Sequence, residues 1–251
     1  YVAPVGVAGE PVKAHLLADA IGVRPAFASL VLHKHAELFA QTLFLLAGVA
    51  IALAVFPLSF AIRALAVAGV ILLAALLALM TWGLLRGAFA PIVRRAERLP
   101  LVGKRLSRFE KAAEELDDTI REFYAKGDGR FFVSAFWCFF GWCGGLLETF
   151  LVLKILAPER GLATAYAVEA LSMAIGNMLL VVPARLGFAE GVRVGLFALL
   201  GLTSAQGLAY GLVRRAREIL WTLPGAIVLL WRSLRSRRES DSALAAEGGR
   251  R

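Results

Sequence analysis

The side chains that most often carry out catalysis or bind metals are scarce in this chain. Its 251 residues include two cysteines and three histidines. The histidines, His15, His33 and His35, form no metal-binding pattern with carboxylates. No phosphate-binding loop, dinucleotide-binding fingerprint or nucleophile elbow occurs in the sequence. These absences weaken the hypothesis of an enzyme without excluding it, and we expect a non-enzymatic protein that needs no metal or other cofactor.

The two cysteines also lack a chemical role in this interpretation. Cys138 and Cys143 lie five positions apart within an apolar stretch. On a helix this spacing points the two side chains in different directions, so they cannot form a metal site by themselves. We interpret both as packing residues.

Apolar residues, in contrast, are abundant and occur in long runs. They make up 59% of the chain, and the mean hydropathy is +0.71, whereas ordinary soluble domains are about 45–50% apolar. A helix needs about 20 apolar residues to cross the hydrocarbon core of a bilayer. The runs that are long enough are 36–56, 64–85, 131–156 and 162–182. The sequence therefore predicts an all-α, polytopic membrane protein, whose first long helix begins near Pro25 and ends at Pro57.

A polar insertion separates the second and third runs. Residues 87–130 carry ten Lys/Arg and eight Asp/Glu, and apolar residues recur every three or four positions between 106 and 123. This pattern predicts an amphipathic helix on the membrane surface, and a solvated helix packed on another domain is the alternative. The net charge of +9 is concentrated at such membrane edges, which favours anionic lipid over nucleic acid as the partner.

The distribution of positive charge predicts the orientation in the membrane. The insertion 87–130 and the Arg-rich tail 233–251, which we expect to be disordered, should both be cytoplasmic. Residues 1–232 then form one transmembrane domain. The short connections face the other side, so residues 162–202 must enter the membrane and return to that side. We therefore predict a re-entrant hairpin with its tip at 183–191.

The tip of this hairpin carries a motif that occurs twice, about 180 residues apart. The first copy reads Pro-Val-Gly-Val-Ala-Gly-Glu up to Glu10, and the second reads Pro-Ala-Arg-Leu-Gly-Phe-Ala-Glu up to Glu190. A helix with a charged cluster follows each copy, around Glu37 and Glu218. These two helices would run in opposite directions, so we predict two inverted repeats, each with a Gly/Pro-broken hairpin. Chance matching of small residues is the alternative.

The chain starts at Tyr1, close to the first motif, so we expect an N-terminally incomplete domain.

Charged residues at these motifs are the candidate site. A charge in the bilayer core costs about 2.5–3.5 kcal/mol on the insertion scale, so it usually faces protein or a water-filled cavity. Arginine suits an anionic headgroup such as a lipid phosphate through its bidentate fork, although the charged pairs could also only neutralise each other. The candidate substrate-binding residues are Glu10, Lys13, Lys34, Glu37, Arg185, Gly187, Glu190, Arg193, Arg214, Arg215 and Glu218.

Three other charged residues lie within the apolar runs. Glu169 could face the cavity or serve as a proton site. Glu148 and Lys154 lie near a predicted membrane edge, where long side chains reach toward water. On the last helix, Arg214 and Glu218 are four positions apart and can pair with each other.

The motifs resemble those of a known family. The segments GEPVKAHLL near the start and VVPARLGFAEG and LLGLTSAQGLAYGLVRRAREILWTLPG near the end are similar to the flippase-like domain. That domain occurs in the membrane part of lysylphosphatidylglycerol synthases and in related stand-alone membrane proteins. The resemblance extends from about Pro4 to Trp231 and is closest to the branch associated with hopanoid biosynthesis. Family members usually carry a Pro-Gly-Gly-like run, whereas Ala184 and Arg185 follow the proline here, which changes the expected loop.

The resemblance implies lipid handling. In the synthases this domain moves an aminoacylated lipid across the membrane, while a separate soluble domain transfers the amino acid. We therefore expect a multi-pass protein of the bacterial inner membrane that translocates an anionic phospholipid, an aminoacyl-phospholipid or a hopanoid-related lipid. The alternative is a non-transporting scaffold that docks a lipid-biosynthetic enzyme, such as one for hopanoids, through the amphipathic helix at 106–123.

Overall fold

The structure, a computed structural model, describes residues 17–97, 109–127, 129–178, 188–220, 222–225 and 227. Every regular element within these residues is a helix, which confirms the all-α prediction. The principal helices are α1 (Val23–Val55), α2 (Phe60–Arg86), α3 (Phe89–Ala96), α4 (Glu110–Lys126), α5 (Arg130–Leu156), α6 (Leu162–Met178), α7 (Phe188–Leu199) and α8 (204–220).

Three of these helices, α1, α2 and α5, are long and apolar enough to cross a membrane. They correspond to the first three predicted spans, and the chain is a multi-pass membrane protein. Helix α1 has 33 residues, so it is about 50 Å long and projects well beyond a hydrocarbon core of about 30 Å. Pro25 lies in its first turn, where a proline is tolerated, and the helix ends before Pro57 as predicted.

Helix α6 lies at the centre of the bundle and packs against α1, α2, α5 and α7. Small residues form its buried surface, and Ala167, Ala170 and Ala174 are at most 2% exposed. A side chain added at Gly48 of α1 would collide with Ala170 and with the ring of Tyr166. Because apolar side chains gain little by leaving lipid, such close approach of backbones is a main source of attraction between membrane helices.

Three connections gather at one end of the bundle, which we call the loop end. They are residues 56–59, 157–161 and 200–203, and residues from all three line one cleft. Helices α1, α5 and α7 therefore end at the loop end, and α2, α6 and α8 begin there. The opposite directions of α6 and α7 agree with a hairpin. Residues 1–16 and 179–187 lie outside the described residues, so the re-entrant tip and the inverted repeat stay predictions.

The amphipathic helix α4 packs at the opposite end, against α1, α2 and α3. Ile120 is completely buried and contacts a cluster that includes Ala28 of α1 and Leu84 of α2. The part of the apolar face around Ile120 is thus covered by protein, whereas Phe109 is 52% exposed. The projecting end of α1 supplies part of this apolar surface, and the position of the helix on the membrane surface stays a prediction.

Two polar side chains of α4 also cap neighbouring helices. The carboxylate of Asp117 accepts hydrogen bonds from the backbone N–H groups of Phe89 and Ala90, at 3.2 and 2.9 Å, at the start of α3. A negative charge is stabilising at a helix N-terminus, where N–H groups lack partners. The guanidinium of Arg121 donates a 3.1 Å hydrogen bond to the carbonyl oxygen of Arg86 at the end of α2. The cytoplasmic insertion predicted from the sequence is therefore fixed to the bundle by both apolar and polar contacts.

Candidate functional site

Four polar side chains meet between α5, α6 and α8, within an otherwise apolar bundle. They are Thr149 on α5, Glu169 on α6, and Tyr210 and Arg214 on α8. The first three are nearly inaccessible, with exposed fractions of 0%, 4% and 1%, whereas the Arg214 side chain is 23% exposed. We call these four residues the polar cluster.

One carboxylate oxygen of Glu169 is the centre of the polar cluster. Its Oε2 accepts a 2.6 Å hydrogen bond from Arg214 Nη1 and a 2.8 Å bond from Thr149 Oγ1. The Tyr210 hydroxyl lies 3.2 Å from the same oxygen and 2.9 Å from Thr149 Oγ1. An ionised carboxylate only accepts hydrogen bonds, and a bond from a guanidinium is among the strongest in proteins. The cluster therefore links three helices through one negative charge.

The sequence of α8 explains how its two members reach the cluster. Tyr210 and Arg214 are four residues apart and lie on one face of the helix, with the guanidinium carbon 5.8 Å from the tyrosine ring centre. The Tyr210 ring also packs on Phe197 of α7, with 5.1 Å between ring centres. One turn earlier, a side chain at Gly207 would come within 2.9 Å of the Val194 backbone. Glycine at this position lets α8 approach α7.

Five more charged side chains, which we call the outer ion pairs, lie beside the polar cluster. Arg217 forms an ion pair with Glu148 of α5. Glu218 lies 3.7 Å from Arg215 and 3.9 Å from Arg193 of α7. Their side chains are between 16% and 39% exposed. The polar cluster and the outer ion pairs together contain four arginines and three glutamates, so their formal charge is positive.

The polar cluster lies well below the loop end. Arg214 comes ten residues after the start of α8, which corresponds to about 15 Å along the helix axis. Thr149 and Glu169 are each seven residues from the loop end of their helices, or about 10 Å. The hydrocarbon core is about 30 Å thick. With the loop end at the membrane surface, these charges lie near mid-depth.

Comparison with known families decides what kind of protein this is. The model of the lysylphosphatidylglycerol synthase transmembrane region matches residues 1–225. The chain belongs to this family. The matched range includes α1 to α8 and therefore both the polar cluster and the outer ion pairs. It confirms the resemblance drawn from the motifs, while the hopanoid branch stays a prediction. No curated protein and no solved structure matches the chain.

Four of the predicted site residues come together in this member of the family. Arg193, Arg214, Arg215 and Glu218 all belong to the polar cluster or the outer ion pairs. Arg214, however, pairs with Glu169 and not along its own helix with Glu218, as its spacing had suggested. The physical reason is burial, because the carboxylate of Glu169 would otherwise lack a counter-charge in an apolar environment.

The predicted pair on α1 lies elsewhere. Lys34 Nζ donates a 2.6 Å hydrogen bond to Glu37. Glu37 lies 18 residues before the loop end of α1, or about 27 Å along the helix, whereas Glu169 lies about 10 Å from the loop end. The two charged regions predicted from the repeat are thus separated in the structure.

The remaining predicted site residues belong to the two motifs. Helix α7 includes Glu190, of which only the backbone is described. The others lie outside the described residues, and these are Glu10, Lys13, Arg185 and Gly187. Their assignment to a lipid site stays a prediction.

Sequence reasoning missed Thr149 and Tyr210. The signal was weak, because a hydroxyl within an apolar run is common in membrane helices and usually bonds to a neighbouring helix. Glu148, which we expected to reach toward water, forms its ion pair with Arg217 instead. Lys154 does lie toward the loop end, where its Nζ donates a 2.9 Å hydrogen bond to the carbonyl oxygen of Pro158.

A second polar network ties α4 to the spans at the opposite end. Thr81 donates its hydroxyl proton to the carbonyl oxygen of Leu77 at 2.8 Å, so it accepts from Nε2–H of His35 at 2.7 Å. Nδ1 of the neutral His35 ring then accepts from the Tyr124 hydroxyl at 2.5 Å. Burial raises the pKa of Tyr124 to about 12, which keeps this donor protonated.

Within the part of the chain that the structure describes, no group of three or more His, Cys, Asp or Glu residues could hold a metal.

Proposed function

We propose that this chain binds the headgroup of a membrane lipid at the polar cluster and the outer ion pairs, and moves it across the bilayer. The observation that carries the proposal is Arg214, a partly exposed cation held against buried Glu169 between apolar helices. Charged residues inside a membrane are expensive and usually mark a pathway or a binding site. Membership in a family named for enzymes that make a lipid supports a lipid as the substrate.

The charge of the site favours an anionic headgroup. Four arginines face three glutamates, and an arginine can hold two phosphate oxygens at once. An anionic phospholipid therefore fits the site better than a neutral hopanoid-related lipid, and the anionic phosphate of an aminoacyl-phospholipid would also be recognised. The chain would act without a chemical step on the lipid, and a bacterial inner membrane is the setting that we propose.

Glu169 has a defined role in this proposal. Its Oε2 is the acceptor that a phosphate oxygen of the lipid would replace at Arg214 Nη1. Thr149 and Tyr210 would continue to donate to the carboxylate after that exchange, and so keep the buried charge solvated. The guanidinium would then alternate between the carboxylate and the headgroup, while the two hydroxyl groups offset part of the loss of the carboxylate's counter-charge.

A lipid-flipping assay tests this function. The protein is reconstituted into liposomes with a headgroup-labelled phosphatidylglycerol, and the fraction that a membrane-impermeant quencher reaches is followed with time. Arg214→Gln should lower the rate by about 10- to 100-fold, because charge-assisted hydrogen bonds contribute about 1.5–3 kcal/mol.

A matched control separates this effect from the loss of one positive charge. Arg94→Gln on α3 removes an arginine that forms exposed ion pairs with Glu110, at 3.7 Å, and with Glu114, at 3.9 Å, and should flip lipid like the unmodified chain. Equal flipping by the Arg214 and Arg94 variants would contradict the proposal. The alternative of a scaffold has less support, because the apolar face of α4 that would dock an enzyme packs against α1 and α2.

A further inference from the structure

An open cleft of about 510 Å³ lies at the loop end. All three connections contribute to its walls, among them Pro57, Glu159, Arg160 and Gly201. The cleft is separate from the polar cluster, which lies about 10–15 Å deeper along α5, α6 and α8. Neither the polar cluster nor the outer ion pairs contribute a residue to its lining.

An apolar groove of about 120 Å³ lies next to this cleft and extends toward the middle of the bundle. Leu199 of α7 lines both the cleft and the groove, which makes them neighbours. The groove lies between α2, α6 and α7, and Leu65 and Leu199 at its rim are 45% and 43% exposed. A space lined by such side chains offers water no hydrogen bonds and accepts an apolar guest instead.

The cleft carries one charge of each sign. Arg160 is held in place by a 2.5 Å hydrogen bond from Nη2 to the carbonyl oxygen of Gly201. Its Nε lies 3.6 Å from Oε1 of Glu159, whose side chain is 67% exposed. An exposed ion pair of this length is weak. A ligand phosphate could therefore take the position beside Arg160, while Glu159 attracts an ammonium group.

We infer that the cleft and the groove together bind one zwitterionic phospholipid from the membrane leaflet at the loop end. Its phosphate lies at Arg160, its ammonium group lies at Glu159, and a segment of one acyl chain fills the groove. A cleft with charged side chains beside an apolar groove fits an amphiphile, and the balanced charge of the cleft fits a headgroup with both signs. The site rests on its own lining, and it holds whether or not the chain translocates lipid.

Photo-crosslinking in nanodiscs tests this site. The unmodified chain is incorporated with phosphatidylethanolamine that carries a diazirine in the middle of one acyl chain, and crosslinked residues are mapped by peptide mass spectrometry. We expect crosslinks at Leu65, Ile175 and Leu199 to exceed those at Leu72 and Leu76, which are exposed on α2, the helix of Leu65, and lie outside the groove. Equal labelling at both sets of residues would indicate ordinary contact with bulk lipid and would overturn the proposal.

The headgroup assignment is tested with the same diazirine chain on phosphatidylglycerol and on diacylglycerol. Groove labelling should be strongest for phosphatidylethanolamine, and a preference for either other lipid would overturn the zwitterionic assignment. Arg160→Gln should lower groove labelling by about fivefold, the usual upper range for one exposed charge. Arg63→Gln is the matched control, since Arg63 also donates to a loop carbonyl, that of Leu58, at this end but does not line the cleft.

A second variant keeps the test valid if Arg160→Gln disturbs the loop end. Glu159→Gln changes an exposed side chain and should reduce the preference for phosphatidylethanolamine over phosphatidylglycerol while the total groove labelling persists. An unchanged preference would contradict the assigned role of Glu159. Loss of flipping in the Arg214 variants has no bearing on these results, because the crosslinks report binding at the loop end alone.

Discussion

Arg214 on α8 and Glu169 on α6 share a 2.6 Å hydrogen bond, although they are 45 residues apart in sequence. The bond joins one arm of the predicted hairpin to the helix that follows it. Glu169 is 4% exposed, so its charge depends on this partner and on the hydroxyl groups beside it. The same pair can therefore serve both stability and lipid binding, and the two roles need separate tests.

Single and double substitutions of this pair separate stability from transport. We expect Glu169→Gln or Arg214→Met alone to destabilise the protein by about 3–5 kcal/mol, because each leaves an unpaired charge in an apolar environment. The double variant removes both charges and should recover most of that loss, since an apolar replacement of a buried ion pair is often neutral. Thermal unfolding in detergent measures both effects.

The double variant should fold and still fail to flip phosphatidylglycerol, because the cation that would hold the phosphate is absent. Wild-type flipping by a well-folded double variant would mean that the pair is structural only. Equal destabilisation in the single and double variants would instead show that the carboxylate and the guanidinium do not depend on each other.

The hydroxyl groups of the polar cluster should act as a unit. Thr149→Val and Tyr210→Phe each remove one donor near Glu169 Oε2, and each should cost about 1–3 kcal/mol because the carboxylate is buried. The two changes should not add, since Thr149 Oγ1 and the Tyr210 hydroxyl are also 2.9 Å apart. A double-mutant cycle on thermal unfolding measures the coupling, and strictly additive effects would contradict a shared network.

Much of the architecture follows from hydrophobic length. The runs 36–56, 64–85 and 131–156 became helices α1, α2 and α5 because the period and length of an apolar run are local properties of the chain. The position of α4 was harder to predict. Its amphipathic pattern indicates that the helix has an apolar face. The pattern does not indicate whether lipid or protein covers that face.

The site was predictable only in part, for a related reason. Glu169 was recognisable because charges are rare in apolar runs, and Arg214 because it belongs to the charged cluster after the repeated motif, yet their pairing depends on how α6 packs against its neighbours. Local spacing suggested Glu218 as the partner of Arg214. Tyr210 and Thr149 gave no comparable signal, because hydroxyl groups are tolerated throughout membrane helices.

The cap that Asp117 supplies to α3 gives a local prediction. Asp117→Ala leaves the N–H groups of Phe89 and Ala90 without their acceptor, which should cost about 1–2 kcal/mol. Hydrogen exchange of the α3 amides should become faster. Asp118→Ala is the control on the same helix, because Asp118 is exposed and forms a surface ion pair with Arg121, at 3.2 Å, and such pairs contribute about 0–1 kcal/mol. Similar exchange in the two variants would argue against the cap.

The end of α2 gives the last prediction. Gly87 has φ 70, and a side chain there would also displace the guanidinium of Arg121, which donates a hydrogen bond to the carbonyl oxygen of Arg86. Gly87→Ala should therefore lower the free energy of unfolding by more than the roughly 1–2 kcal/mol of a left-handed alanine. Gly127 provides the comparison, since its φ is 57 and nothing lies within 4 Å of an added side chain. Gly127→Ala should show the conformational effect alone.

Removing Arg121 then identifies the cause of the difference. In an Arg121→Ala background there is no such hydrogen bond to lose, so Gly87→Ala should destabilise the protein about as much as Gly127→Ala does. The free energies of unfolding of the four variants, measured by denaturant titration in one detergent, complete the comparison. If Gly87→Ala remains the more costly change without Arg121, the contact between α4 and the end of α2 is not the reason that position 87 requires glycine.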